Sequence, residues 1–174
     1  MSSPTMTLIT SQTLASSSSS VTFSSIPQTF NNLIVKTSVR SDANDTSYKW
    51  TFNGSSTGYY SRNLYTYVAA PSSYNVGSYS QSNASYLDID AIVVSVYTGN
   101  IFNNAEMYIP NYTSSNYKSF SCESLAENNA GQNPMWVVGG LWQNTAAITS
   151  ITFTTNGNNF VTNSTFYLYG ISNS

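Results

Sequence analysis

The chain has 174 residues, of which 7% are charged against about 25% in an ordinary soluble domain. Five Lys and Arg and a formal net charge of −2 leave no basic stripe for nucleic-acid phosphates, and the longest apolar runs fall far short of a membrane span. The absence of histidine excludes Ser-His-Asp catalysis and histidine metal centres, so composition points to an exposed β-protein that is not an enzyme and needs no cofactor.

Period-two alternation recurs along the chain and no stretch has helical periodicity, which predicts an all-β protein. Residues 1–20 read as an N-terminal arm ending in the serine run Ser16–Ser20, with a strand candidate at 7–14. The domain proper, 21–174, begins with strands at 21–26, 33–40 and 48–53. Tyr48, Trp50 and Phe52 point one way in the last of these, and Lys49, Thr51 and Asn53 the other. A strand at 63–68 precedes a Ser/Tyr/Asn/Gly-rich loop at 69–85. Further strands follow at 87–97, 105–109, 117–125, 135–142, 148–155 and 166–171, with turn chemistry at Asn53-Gly54 and Asn156-Gly157. The expected architecture is one antiparallel β-sandwich, jelly-roll-like, with an extended N-terminal arm.

Few side chains offer chemistry. Asp88 and Asp90 share one face of the expected 87–97 strand, which reads as a solvated face or a pairing with Arg40 or Arg62. Asp42 to Asp45 reads as a hairpin tip. Cys122, the single cysteine, alternates with Phe120 and has no histidine to activate it, so it reads as a small buried hydrophobe. Tyr59, Tyr60, Tyr74 and Tyr79 lie in a composition like that of recognition loops, and serve as exposed contacts or as sheet packing. In the arm, Leu8, Ile9 and Leu14 are candidates for clasping a neighbouring subunit or a capsid protein by strand addition.

Several stretches together carry a resemblance. They are Ser20-Val-Thr-Phe-Ser-Ser-Ile-Pro27, Phe52-Asn-Gly54 with Tyr60-Ser-Arg-Asn-Leu-Tyr65, Ile109-Pro-Asn-Tyr112 with Asn116-Tyr-Lys-Ser-Phe120, and Gly140 through Phe153, with the ending Phe160 to Ile171. The chain resembles a family of small β-rich virion structural proteins of tailed bacteriophages, common in marine and environmental phages. The resemblance implies a module displayed on the particle and carries no catalytic residues. Because the chain is almost entirely this module, the expectation is a capsid decoration (cement) protein on the outer surface of the virion. It would be made in the host cytoplasm without an export signal and bind the major capsid protein as a homotrimer. The alternative is a tail-fibre or receptor-binding tip that recognises host glycan or protein. A cement protein needs no chemistry, because binding the assembled lattice better than free subunits favours assembly by mass action.

Overall fold

The computed structural model describes residues 5–44, 48–70, 73–90, 93–128 and 134–172, with backbone alone at 67–70, 73 and 74. These residues form twelve strands: β1 (Met6–Thr13), β2 (Ser20–Phe23), β3 (Asn32–Ser38), β4 (Tyr48–Phe52), β5 (Tyr59–Ala70), β6 (Ser73–Ala84), β7 (Leu87–Asp88), β8 (Asn104–Pro110), β9 (Lys118–Leu125), β10 (Met135–Trp142), β11 (Ile151–Thr155) and β12 (Thr165–Ile171). No helix occurs among the described residues. One sheet has eight strands in the order β1-β12-β3-β8-β9-β10-β5-β6, and the other has four in the order β2-β11-β4-β7. Every neighbouring pair is antiparallel.

Alternation decides the layering. In β4 the buried set is Tyr48, Trp50 and Phe52; in β9 it is Lys118, Phe120, Cys122 and Ser124. Rings from the two sheets interlock between the layers. Phe153 meets Phe166 at 5.2 Å between centroids, and Phe52 meets Trp142 at 5.7 Å. Edge-to-face pairs such as Trp50–Phe153, at 4.8 Å and 85°, each add about 0.5–1.5 kcal/mol beyond their buried area. Cys122 is buried, as its alternation with Phe120 predicts.

Two of the five cations are buried, each held by backbone carbonyls. The Lys118 ammonium donates to the carbonyls of Ser114 (2.7 Å), Asn116 and Thr145, tying the β8–β9 connection to the segment after β10. The Arg40 guanidinium donates to four carbonyls, those of Ser95 (3.2 Å), Tyr97 (2.9 Å), Thr98 (2.7 Å) and Ile101 (3.3 Å). Both cations organise loops, because a desolvated charge needs its donors satisfied.

Three expectations are corrected. The segment 1–20 is not a free arm where it is described. β1 pairs with β12 along its length, Leu14 exchanges backbone bonds with Ser164 and Asn163, and Ser18 with Phe160. The stretch 69–85, read as a loop, is largely strand: β5 and β6 form a long hairpin. β6 escapes a hydrophobicity search because its alternation is among Ser, Asn, Gln, Gly and Tyr. The expected strand 87–97 shrinks to β7. Beyond it, Ile89, Val93 and Val94 are buried from a loop whose backbone bonds Tyr48, Ser41 and Ala43. Beyond these residues the Arg40 guanidinium gathers the carbonyls of Ser95, Tyr97, Thr98 and Ile101.

Candidate functional site

The eight-stranded sheet has one face against the four-stranded sheet and the other towards solvent. Its two edges, β1 and β6, pair on one side only. Neither edge strand carries a charged residue or a proline. Edge strands ordinarily carry such residues to discourage pairing with other chains. β1 has a bulge between Leu8 and Thr10, and β6 is interrupted opposite Tyr59 to Ser61, where Asn83 adopts a positive φ of 49°. Between its interruptions β6 offers a regular, neutral row of backbone donors and acceptors.

The arm residues fall in three places. Leu8 faces solvent at 49% exposure, on the face shared with its partner Tyr169. Ile9 sits at the bulge, half-buried against the core. Leu14 is buried in that core and is unavailable as a contact. Beside Ile9, a groove of ≈470 Å³ runs between the edges of the two sheets, lined by Thr10, Gln12, Phe23, Ile26 and Leu168 among others.

The tyrosines divide similarly. Of the two readings open for Tyr59, exposed contact or sheet packing, the structure has the second: it is fully buried. Its ring stacks on Trp142 at 17°, and its hydroxyl accepts the Phe52 N–H at 2.7 Å. Burial pushes that phenol up to about 12. Tyr60 is half-buried on the solvent face, opposite Leu141. The side chain of Tyr74 lies outside the described residues. Tyr79 is half-buried on the inner face and donates to Asp90 Oδ2 at 3.1 Å. Burial, followed by the Asp90 and Asp88 charges, raises its phenol well above the usual range. Asp88 faces Lys49 across the β4–β7 pair, while the guanidinium of Arg40 is given to loop carbonyls and that of Arg62 to the Ser61 carbonyl.

Residues that the sequence reading did not single out, Trp136 and Gly77 among them, complete the region around Tyr65. Trp136 stacks on Tyr65 at 5.3 Å and 18°, and Tyr79 tilts against Tyr65 at 6.1 Å. The Tyr65 ring lies over Gly77, where a Cβ would come within 2.4 Å of it, so this glycine makes room for the aromatic row. On the solvent face, Leu125 pairs with Met135 and Val137 with Leu64. Leu64 is 60% exposed and Val76 78%. Glu106 lies opposite Glu123 and bonds Lys36 at 2.6 Å, the one salt bridge among the described residues.

This arrangement is suited to contact with other molecules. Among the described residues no group of three or more Cys, Asp or Glu is placed to hold a metal. Burial and the nearby Glu123 and Glu106 charges raise the Cys122 thiol far above the range in which a thiolate forms. In comparison with known proteins, no family model matches the chain, and no curated protein or solved structure matches it either.

Proposed function

We propose that this chain is a phage virion structural protein, a capsid decoration protein that binds and stabilises the assembled head shell through the major capsid protein. The observation that carries the reading is the pair of uncharged, unprotected edges, β1 and β6, on one broad and nearly neutral sheet. Such edges accept or donate a strand to a neighbouring chain, with main-chain hydrogen bonds supplying affinity and side chains supplying register. Neutral contacts are little screened by salt, which suits a particle outside the cell. The connectivity supports the same reading. β1-β12-β3-β8 faces β2-β11-β4-β7 in a jelly-roll-like order, with β5–β6 and β9–β10 as insertions that widen one sheet. Such folds serve viral capsids and lectins alike, so fold alone decides nothing.

The test is a gel of purified virions followed by imaging of the particle. A copy number that scales with the shell subunits supports decoration, and absence from the outer coat overturns it. Because β1 belongs to the sheet, deleting residues 1–20 would uncover β12, so charged edge substitutions are the cleaner probe. Ser11→Lys and Ser78→Lys, both at exposed outer-face positions, should weaken shell binding while leaving the fold intact.

A second reading, a tail-fibre tip that binds glycan, is favoured by the Trp136–Tyr65 stack beside Tyr79 and Asp90. An aromatic face with an adjoining carboxylate suits a sugar ring and its hydroxyls. A handful of copies per virion and host-cell labelling lost in Trp136→Ala would favour it over decoration.

A further inference from the structure

We propose that the solvent face of the eight-stranded sheet is a self-association surface, on which a second copy of this chain is held by reciprocal Arg62–Glu123 ion pairs around an apolar strip. This does not rest on the virion reading. It starts from the fate of the five cations. Arg40 and Lys118 are internal loop clamps, Lys36 bonds Glu106, and Lys49 reaches Asn156 and the Tyr86 ring. Arg62 remains. It is exposed on the solvent face, donates to the neighbouring Ser61 carbonyl, and has no ion pair among the described residues.

Glu123 is its counterpart. It is exposed on the same face, has no salt bridge of its own among the described residues, and sits directly opposite Glu106. Lys36 lies within electrostatic reach of Glu123 but bonds Glu106; like charges facing each other across strands are destabilising, so Glu123 gains from a further cation brought by a partner.

The positions of the two charges suit a two-fold pair. Arg62 lies on β5 and Glu123 on β9, one on each side of β10. Gly139 pairs with Arg62 on one side and Ser121 on the other; Val137 pairs with Leu64 and Glu123. A two-fold axis in the contact plane, running along β10, lays β5 of each copy on β9 of the other. Val137 and Met135 then meet their own symmetry mates, and Leu64 covers the stem of Glu123. Arg62 lands over Ser121, two residues from Glu123 and about 6.8 Å along the strand, within reach of an extended Arg side chain. Gly139 leaves the centre open, for a Cβ there would meet nothing within 4 Å. The contact is isologous, so each charge pair occurs twice.

Its size sets the strength. Five strands, β8 to β6 with β10 at the centre, about 4.8 Å apart and over seven residues of about 3.3 Å each, give a flat footprint of about 550 Å² per copy. The pair therefore buries on the order of 1,100 Å², at the low end for specific association, and the dimer should be weak and concentration-dependent.

Sedimentation equilibrium of the full chain, from about 10 µM to 1 mM, tests this. Wild type should show a monomer–dimer equilibrium that weakens with added salt. Arg62→Glu and Glu123→Arg should each raise the dissociation constant about tenfold, by setting like charges against each other. The double charge swap should restore it to near wild type, with all variants melting alike. A wild type that stays monomeric or forms a trimer overturns the proposal. So does a dimer indifferent to either single substitution, or a double swap that fails to rescue.

Discussion

Tyr59→Phe removes a single oxygen and keeps the ring stacked on Trp142. That oxygen accepts the Phe52 N–H at 2.7 Å, and its own hydrogen faces the carbonyls of Phe52 and Ser55, each at 3.4 Å. The Phe52 N–H and the Tyr59 hydroxyl that meets it are buried, with Tyr59 and Phe52 both 0% exposed. Without the oxygen the Phe52 N–H is left in the core with no acceptor. An orphaned buried donor costs about 1–3 kcal/mol, and the weak 3.4 Å contacts add little, so the expected loss is about 2 kcal/mol. For a domain of this size that lowers Tm by about 4–8 °C. Tyr60→Phe, half-buried on the opposite face of the same strand, is the control and should stay within about 0.5 kcal/mol. Thermal and urea melts of the two variants decide the matter. There is also a pH signature. The Tyr59 phenol is held up to about 12, above its ordinary 10. The folded state therefore keeps a proton that the unfolded chain sheds. The stability this confers is complete below pH 10 and falls away between 10 and 12. Tyr59→Phe should lose less stability than wild type across that window. Equal melts for the two variants, or an identical alkaline slope in Tyr59→Phe and wild type, would refute the reasoning.

Arg40→Lys should cost about 2–3 kcal/mol and open residues 95–101 to hydrogen exchange, because one ammonium cannot span four carbonyls that a planar fork reaches. Cys122 should resist a thiol-reactive dye at neutral pH and react fully once urea unfolds the chain; rapid labelling of the native protein would contradict its burial. The Asp42 carboxyl is held below the usual carboxylate range by the backbone and side-chain amides of Asn159. Its contribution is present above the unfolded value of about 3.9 and is lost as pH falls through the lower folded one. Asp42→Asn should flatten the acid limb of the stability profile, and an unchanged limb would remove Asp42 from the account.

What the sequence disclosed follows from where the alternation is apolar. Tyr48, Trp50 and Phe52, or Phe120 and Cys122, declare a buried face unaided, and those strands stand where the pattern put them. β6 alternates just as strictly but with Asn75, Gly77, Tyr79 and Gln81 on one face and Val76, Ser78 and Ser80 on the other. Without a hydrophobic contrast, period two is invisible in a Ser-rich stretch. Tyr59 stays undecided in sequence for a related reason. Its neighbours look like a recognition loop, whereas its burial depends on Trp142 and Phe52, which the topology brings from other strands. The Arg40 and Lys118 clamps were hidden altogether, since their partners are backbone carbonyls and carry no side-chain signature.

The scarcity of charge gives each charged residue an unusually specific task. An ordinary surface carries enough Lys and Glu that an unpaired one means nothing. Here every cation other than Arg62 has a carbonyl, amide, aromatic or carboxylate to hold it from elsewhere in its own chain. With two of the five cations buried as loop clamps, few remain for the surface, and β1 and β6 carry none. Bare edges of this kind are surfaces on which another chain can pair. The open edges and the Arg62 and Glu123 without a salt bridge among the described residues are thus two consequences of one composition, and strand addition and self-association are the two contacts proposed from them.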